Sequence, residues 1–202
     1  MPVNSVNTNA GALIALQNLN ATNTQLQTTE NRINTGLKVG SAKDDGATWA
    51  IAQSQRSTVS SLDAVKDSLN RASSTIDVAS SAGESISDLL TQMKEKALAA
   101  SDTSLDSTSR NALATDFNSL RDQITKTIQN SSFNGINLLD GSKGAITALA
   151  NADGTNKLTV QAENMSLGKS IVTVATNATF ATATSAANLV TTLNSSINIV
   201  SS

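Results

Sequence analysis

Few residues in this chain could do chemistry. Asp44 and Asp45 are adjacent carboxylates, the raw material of a general acid–base pair. Tuning one of them to a working pKa needs burial or a close charged partner. The polar run Ser41-Ala42-Lys43-Asp44-Asp45, set between Gly40 and Gly46, offers neither, so the pair reads as solvated loop charges or as contacts to another subunit. Asn151 with Asp153-Gly154 is reminiscent of calcium loops, but the EF-hand spacing is absent, and a hairpin turn is the better reading. Lys94, Glu95 and Lys96 read as a solvated helix face. The chain has no His and no Cys. That excludes the usual zinc sites, triads with a His base or Cys nucleophile, and disulfides. No constellation supports an enzyme, and no cofactor or metal is expected.

Composition sets the kind of element available. Only 2% of the 202 residues are aromatic, and the apolar content is mostly Ala, Leu, Ile and Val, which suits long helices packed side by side. The net charge is −2 with scattered basic residues, so the electrostatic footprint of a nucleic-acid binder is missing. No apolar run approaches the roughly 20 residues of a membrane span. The N-terminus is not a Sec signal either: the first positive side chain is Arg32, and Gln17, Asn18 and Asn20 interrupt the apolar stretch.

Helical periodicity organises the first 130 residues. Residues 10–34 carry Ala12, Leu19, Leu26 and Ile33 at seven-residue intervals, with Leu13 and Leu16 beside them. That spacing predicts a mildly amphipathic helix whose apolar face has no evident partner in the chain. Residues 35–46 form a break, and a short helix is expected over 47–56. From residue 62 the apolar positions step by three and four without a slip: Leu62, Val65, Leu69, Ala72, Ile76, Ala79, Gly83, Ile86, Leu90, Met93, Ala97 and Ala100. This is an a/d seam. A helix of that length spans roughly 60 Å, more than the ~40 Å diameter of a compact globule of this size, so an elongated rod is expected. Five of these twelve residues are Ala or Gly, which favours close packing in a bundle. A polar turn at 101–109 leads to a second helix over 109–129, with Leu113, Phe117, Leu120, Ile124 and Ile128 on one face, folding back antiparallel. Residues 145–150, 157–162 and 170–176 read as strands, with Asp153-Gly154 as a hairpin signal between the first two. Helical spacing returns at 185–202 through Leu189, Leu193, Ile197 and Val200.

Three segments, in order, carry a resemblance. Asn4-Ser5-Val6-Asn7-Thr8-Asn9, then Arg32-Ile33-Asn34-Thr35-Gly36 through Ser41-Ala42-Lys43-Asp44-Asp45-Gly46-Ala47, then Phe133-Asn134-Gly135, are similar to the motifs of bacterial flagellins. Ala97-Leu98-Ala99-Ala100-Ser101-Asp102-Thr103 resembles the alphaproteobacterial members. The resemblance implies a mainly α, elongated antiparallel helical bundle rod with a small β-hairpin element. It implies a filament-core helix at 1–40, a helical rod domain at 41–144, a β-hairpin or variable outer region at 145–184 and the start of a return helix at 185–202. It also implies a secreted structural subunit of the flagellar filament that serves motility and self-assembles through coiled-coil helices after type III export. Its partners would be other flagellin subunits, the flagellar export apparatus, a secretion chaperone, and hook-associated and cap proteins. Members of the family end in a long C-terminal helix, so a truncated chain is expected, unable to form filaments alone. The N-terminal helix is expected to order only in an assembly. In many flagellins the face around Leu90, Gln92 and Glu95 is gripped by animal immune receptors through an Arg; Gln92 stands in its place, which implies weak recognition. The alternatives are the hook–filament junction protein and, in the Thr-rich region from Ala145, a surface adhesin.

Overall fold

The structure is a computed structural model that describes residues 9–201. The chain divides into two compact units, residues 1–60 and 61–202. The signature at residues 4–9 lies outside the described residues except for Asn9.

The first unit contains α1, Ala10–Thr35, a loop, and the opening turns of α2, Gly46–Ala100. Both ends of α1 are set by local chemistry. The Asn9 side chain accepts from the amides of Gly11 and Ala12 at 3.1 and 3.2 Å, satisfying two orphan donors of the first turn. Gly36, at φ 66°, closes the helix in the left-handed conformation that glycine adopts without penalty. α2 starts on Asp45, whose carboxylate accepts from the amides of Ala47 and Thr48 at 3.1 Å and from the Thr48 hydroxyl at 2.7 Å.

α2 corrects one expectation. The short helix at 47–56 is not separate; one uninterrupted helix runs from Gly46 to Ala100. The intervening Ser57-Thr58-Val59-Ser60-Ser61 contains no Gly or Pro, and the Thr58 hydroxyl returns to its own helix by donating to the Ser54 carbonyl at 3.0 Å. Nothing there stops propagation.

In the second unit α2 meets α3, Ser107–Asn130, and α4, Ala183–Val200. Contacts along α2 and α3 run in opposite directions. Arg110 bonds to the Ala100 carbonyl, Lys96 pairs with Asp116 at 2.9 Å, and Val78, Ala82 and Ser85 share a groove with Lys126 and Asn130. α3 is therefore antiparallel to α2, as a six-residue connection requires. Asp106 caps α3, accepting from Thr108 and Ser109. α4 begins with a capping box in which Thr182 and Ser185 exchange side-chain and backbone bonds. The core between these helices is aliphatic: Ile86, Leu90, Met93, Ala97, Ile124 and Leu193 are buried, joined by one edge-on aromatic pair, Phe117 and Phe180, with ring centroids 5.2 Å apart.

Two antiparallel hairpins complete the unit. β1, Ser132–Phe133, pairs with β2, Ile136–Asn137, across a two-residue turn. Asn134 and Gly135 both have positive φ, 50° and 77°, the requirement of a type I′ turn. β3, Ala145–Leu149, pairs with β4, Lys157–Gln161, in the register Thr147 opposite Thr159. The expected strand at 170–176 is absent. Its alternation is real, since Val172 and Val174 are buried while Thr173 is exposed. The segment lies on α4 instead of on a strand: the Thr173 amide donates to the Ser196 hydroxyl at 3.0 Å, so its donor goes to a helix side chain.

Candidate assembly surfaces

The residues that could form an extended interface are the apolar faces of α1 and α2. α1 buries no residue. Leu13, Ile14, Leu16, Leu19, Leu26 and Ile33 are each 55–74% exposed. Its polar side chains are partly self-satisfied: Thr22, Thr24, Thr28, Thr29 and Thr35 each donate to the carbonyl four residues back.

Within the second unit the α2 seam changes character along its length. Ile86, Leu90, Met93, Ala97 and Ala100 are fully buried. Ala72, Ile76, Ala79 and Gly83 are half-buried, and most of these line an open groove of about 460 Å³ whose other walls include Leu138, Leu139, Val160 and Met165. A Cβ added at Gly83 would meet the Met165 methyl at an ordinary 3.8 Å; this glycine leaves space in the groove rather than permitting a tight contact. At the start of the seam Val65 is buried, but Leu62 and Leu69 are 50% and 38% exposed. The seam is thus fully covered at its C-terminal end and only partly covered at its N-terminal end, where Leu69, Ala72 and Ile76 share a pocket with Ile146, Ala148, Leu158 and Val160 of the β3–β4 hairpin.

The face expected around Leu90, Gln92 and Glu95 needs a correction. Gln92 and Glu95 are exposed, whereas Leu90 is fully buried in the core and cannot be part of a contact surface. A Leu on the seam points inward by the same three–four spacing that puts Gln92 and Glu95 outside.

The charged loops are structural. Asp44 accepts from the Ser41 hydroxyl and from the amides of Ser41 and Gly40 at 3.0–3.1 Å. These bonds, the Ser41 hydroxyl first, hold its pKa below the usual carboxylate value. Asp45 is shifted the same way, chiefly by the Thr48 hydroxyl. Both carboxylates serve as caps for the break and the start of α2, and each stays ionised.

One residue of consequence escaped the sequence reading. Arg110 is buried in the α2–α3 turn. Its Nε donates to the Ala100 carbonyl at 3.0 Å, and one Nη donates to the carbonyls of Asp102 and Leu105 at 2.9 Å. The guanidinium gathers the orphan carbonyls at the end of α2 and in the turn. Sequence gave no sign of it, because its partners are backbone atoms.

The family described as the bacterial flagellin N-terminal helical region matches residues 6–144. The chain belongs to the bacterial flagellin family. Flagellin FljK of Caulobacter vibrioides is 55% identical over 197 residues, covering 98% of this chain and 71% of the relative. Flagellin FljN of the same organism is 60% identical over 167 residues, covering 83% and 61%. Flagellin C of Rhizobium meliloti is 33% identical over 83% of this chain and 53% of its own length. These relatives place this flagellin among the alphaproteobacterial members. In structure, the crystal structure of Bacillus cereus flagellin superposes with a TM-score of 0.58 at 23% identity, covering 68% of this chain and 77% of that one, which supports the fold. The protein is a structural subunit of the extracellular flagellar filament and serves motility. No described helix is long and apolar enough to cross a membrane.

Proposed function

We propose that this flagellin polymerises by burying two surfaces that the single chain leaves open. One is the apolar face of α1, and the other is the N-terminal part of the α2 seam. The observation that carries this reading is the set of six large aliphatic side chains on α1, each more than half exposed. Fully burying such a side chain is worth about 1.5–3 kcal/mol, so covering the exposed half of each adds on the order of 1 kcal/mol. Six together supply roughly 6 kcal/mol before the cost of association. That sum is large for one helix and suits a repeated, symmetric contact.

The same reading assigns Leu62, Leu69, Ala72, Ile76, Ala79 and Gly83 to helix–helix packing with a further helix. The small residues among them leave the space that such a helix would fill. Chemistry is not part of the role: the Asp44 carboxylate is engaged within the loop and that of Asp45 at the start of α2. We extend to this chain, on the strength of its family, passage through the type III export apparatus with a secretion chaperone and contact with hook-associated and cap proteins. Helices free of internal Pro and of disulfides are easy to unfold and thread, and the single proline is Pro2.

Leu19→Ser tests the assembly reading. Leu19 is 55% exposed, so the melting temperature of the single chain should stay within the noise. Incorporation onto flagellin filament seeds should fall about tenfold, the equivalent of ~1.4 kcal/mol. Equal incorporation of the substituted and unsubstituted chains, or a melting temperature that drops with the substitution, would overturn it.

A further inference from the structure

The tip of the β1–β2 hairpin carries a covalent chemistry unrelated to assembly. We propose that Asn134–Gly135 is the deamidation site of this protein and that the hairpin is its gate. In the reaction the Gly135 backbone nitrogen attacks Cγ of Asn134. The N–Cγ bond forms as Cγ–Nδ2 breaks, and the Gly135 amide proton departs with Nδ2 as ammonia. Water then opens the five-membered imide at one of its two C–N bonds, giving Asp or isoaspartate.

Four observations single out this position. Asn134 is the one Asn followed by Gly in the chain, so no Cβ shields the attacking nitrogen. The space a Cβ would occupy at Gly135 is empty, with nothing within 4 Å. Both residues are exposed to the water that the second step consumes. The Gly135 amide takes no hydrogen-bond partner among the described residues, and so is free to act as nucleophile. The other Asn positions followed by a small residue in the described helices differ on this last point. After Asn20, Asn111, Asn118 and Asn194 the next amide lies inside α1, α3 or α4 and is held by the helix ladder. After Asn130 the Ser131 amide donates to the Ile128 carbonyl at 3.3 Å.

The gate is the turn itself. In a type I′ turn the first central residue sits near the mirror image of type I. The Asn134 Cβ and the Gly135 nitrogen then lie on nearly opposite sides of the Cα–C bond, whereas ring closure needs them eclipsed. The turn must open before the imide can form. Opening is opposed by the pairs Phe133–Ile136 and Ser132–Asn137. It is opposed further by the buried Asn137 side chain, which donates to the Ile128 carbonyl at 2.6 Å and accepts from the Leu139 amide at 2.8 Å. Isoaspartate adds a backbone methylene to a turn that has room for two residues only, so that product prevents re-closure in the same register.

Peptide mass spectrometry of the full chain, aged at neutral pH in buffer and in guanidinium chloride, tests both parts. Asn134 should be the first residue to gain the mass of an amide-to-acid conversion in either condition. Its rate in buffer should be at least about tenfold below that in denaturant, because reaction proceeds from the locally opened state. Asn137→Ala, which removes the tether to α3, should raise the rate in buffer toward the denatured one, with the helical circular dichroism signal reporting that α2 and α3 persist. Conversion at another Asn first, or equal rates in the folded and denatured chains, overturns the proposal.

Discussion

Replacing Arg110 by Met removes the guanidinium while keeping much of its apolar stem. Three donor–acceptor contacts of 2.9–3.0 Å disappear, and the carbonyls of Ala100, Asp102 and Leu105 lose their partner. Hydrogen bonds to a charged group contribute about 1.5–3 kcal/mol each. They are not additive, because the turn relaxes and water reaches the more exposed carbonyls. The expected loss is therefore about 3–5 kcal/mol. For a chain of this size, 1 kcal/mol moves the melting temperature by roughly 2–4 °C, so the transition should fall by about 6–20 °C. Arg110→Lys should recover only part of it: an ammonium keeps the charge but cannot present the planar fork that reaches both ends of the turn. Thermal and guanidinium unfolding followed by circular dichroism at 222 nm would measure all three chains. A loss within about 0.5 kcal/mol for the Met variant, or a Lys variant as stable as Arg110, would refute the reasoning.

Phe117→Ala should destabilise by about 3–5 kcal/mol, because the ring is fully buried and is one of the few large side chains in the core; a double-mutant cycle with Phe180→Ala should give a coupling of about 0.5–1.5 kcal/mol from the edge-on contact. Acid should weaken α3 through its cap. The Ser109 amide, first among the bonds it accepts, holds the Asp106 pKa below its ordinary value of 3.8. A carboxylate with a depressed folded pKa contributes stability above the unfolded value and loses it as the pH falls through the folded one. The helical signal should accordingly decline only below roughly pH 4, and Asp106→Asn, which keeps an accepting oxygen but does not titrate, should flatten that limb of the acid titration.

Much of this architecture could be read from residue spacing because the helices obey local rules. The seam from Leu62 to Ala100, the apolar face of α1 and the Asp-rich turn before α3 all appear where period and capping chemistry put them. The Asp153-Gly154 signal falls between β3 and β4. What spacing missed depends on partners distant in sequence. The alternation at 170–176 specifies an extended segment, but whether it finds a strand or a helix is decided by Ser196, more than twenty residues on. Arg110 looks like any basic residue of an amphipathic helix until the fold brings three carbonyls around it. The surfaces assigned to assembly are the converse case. Their apolar pattern was evident, while the stretch of the seam left open emerged only from the burial of Leu90 and the exposure of Leu62.

The threonines of α1 have a mechanical consequence. Every one of them turns its hydroxyl back to its own helix. These five hydroxyls therefore make no demand on a neighbour, and the groups that still call for a mate are the Asn and Gln amides along the same helix, Gln17, Asn18 and Asn20 among them. The shift of a packed helix along α1 would accordingly be set by those amides and not by the threonines.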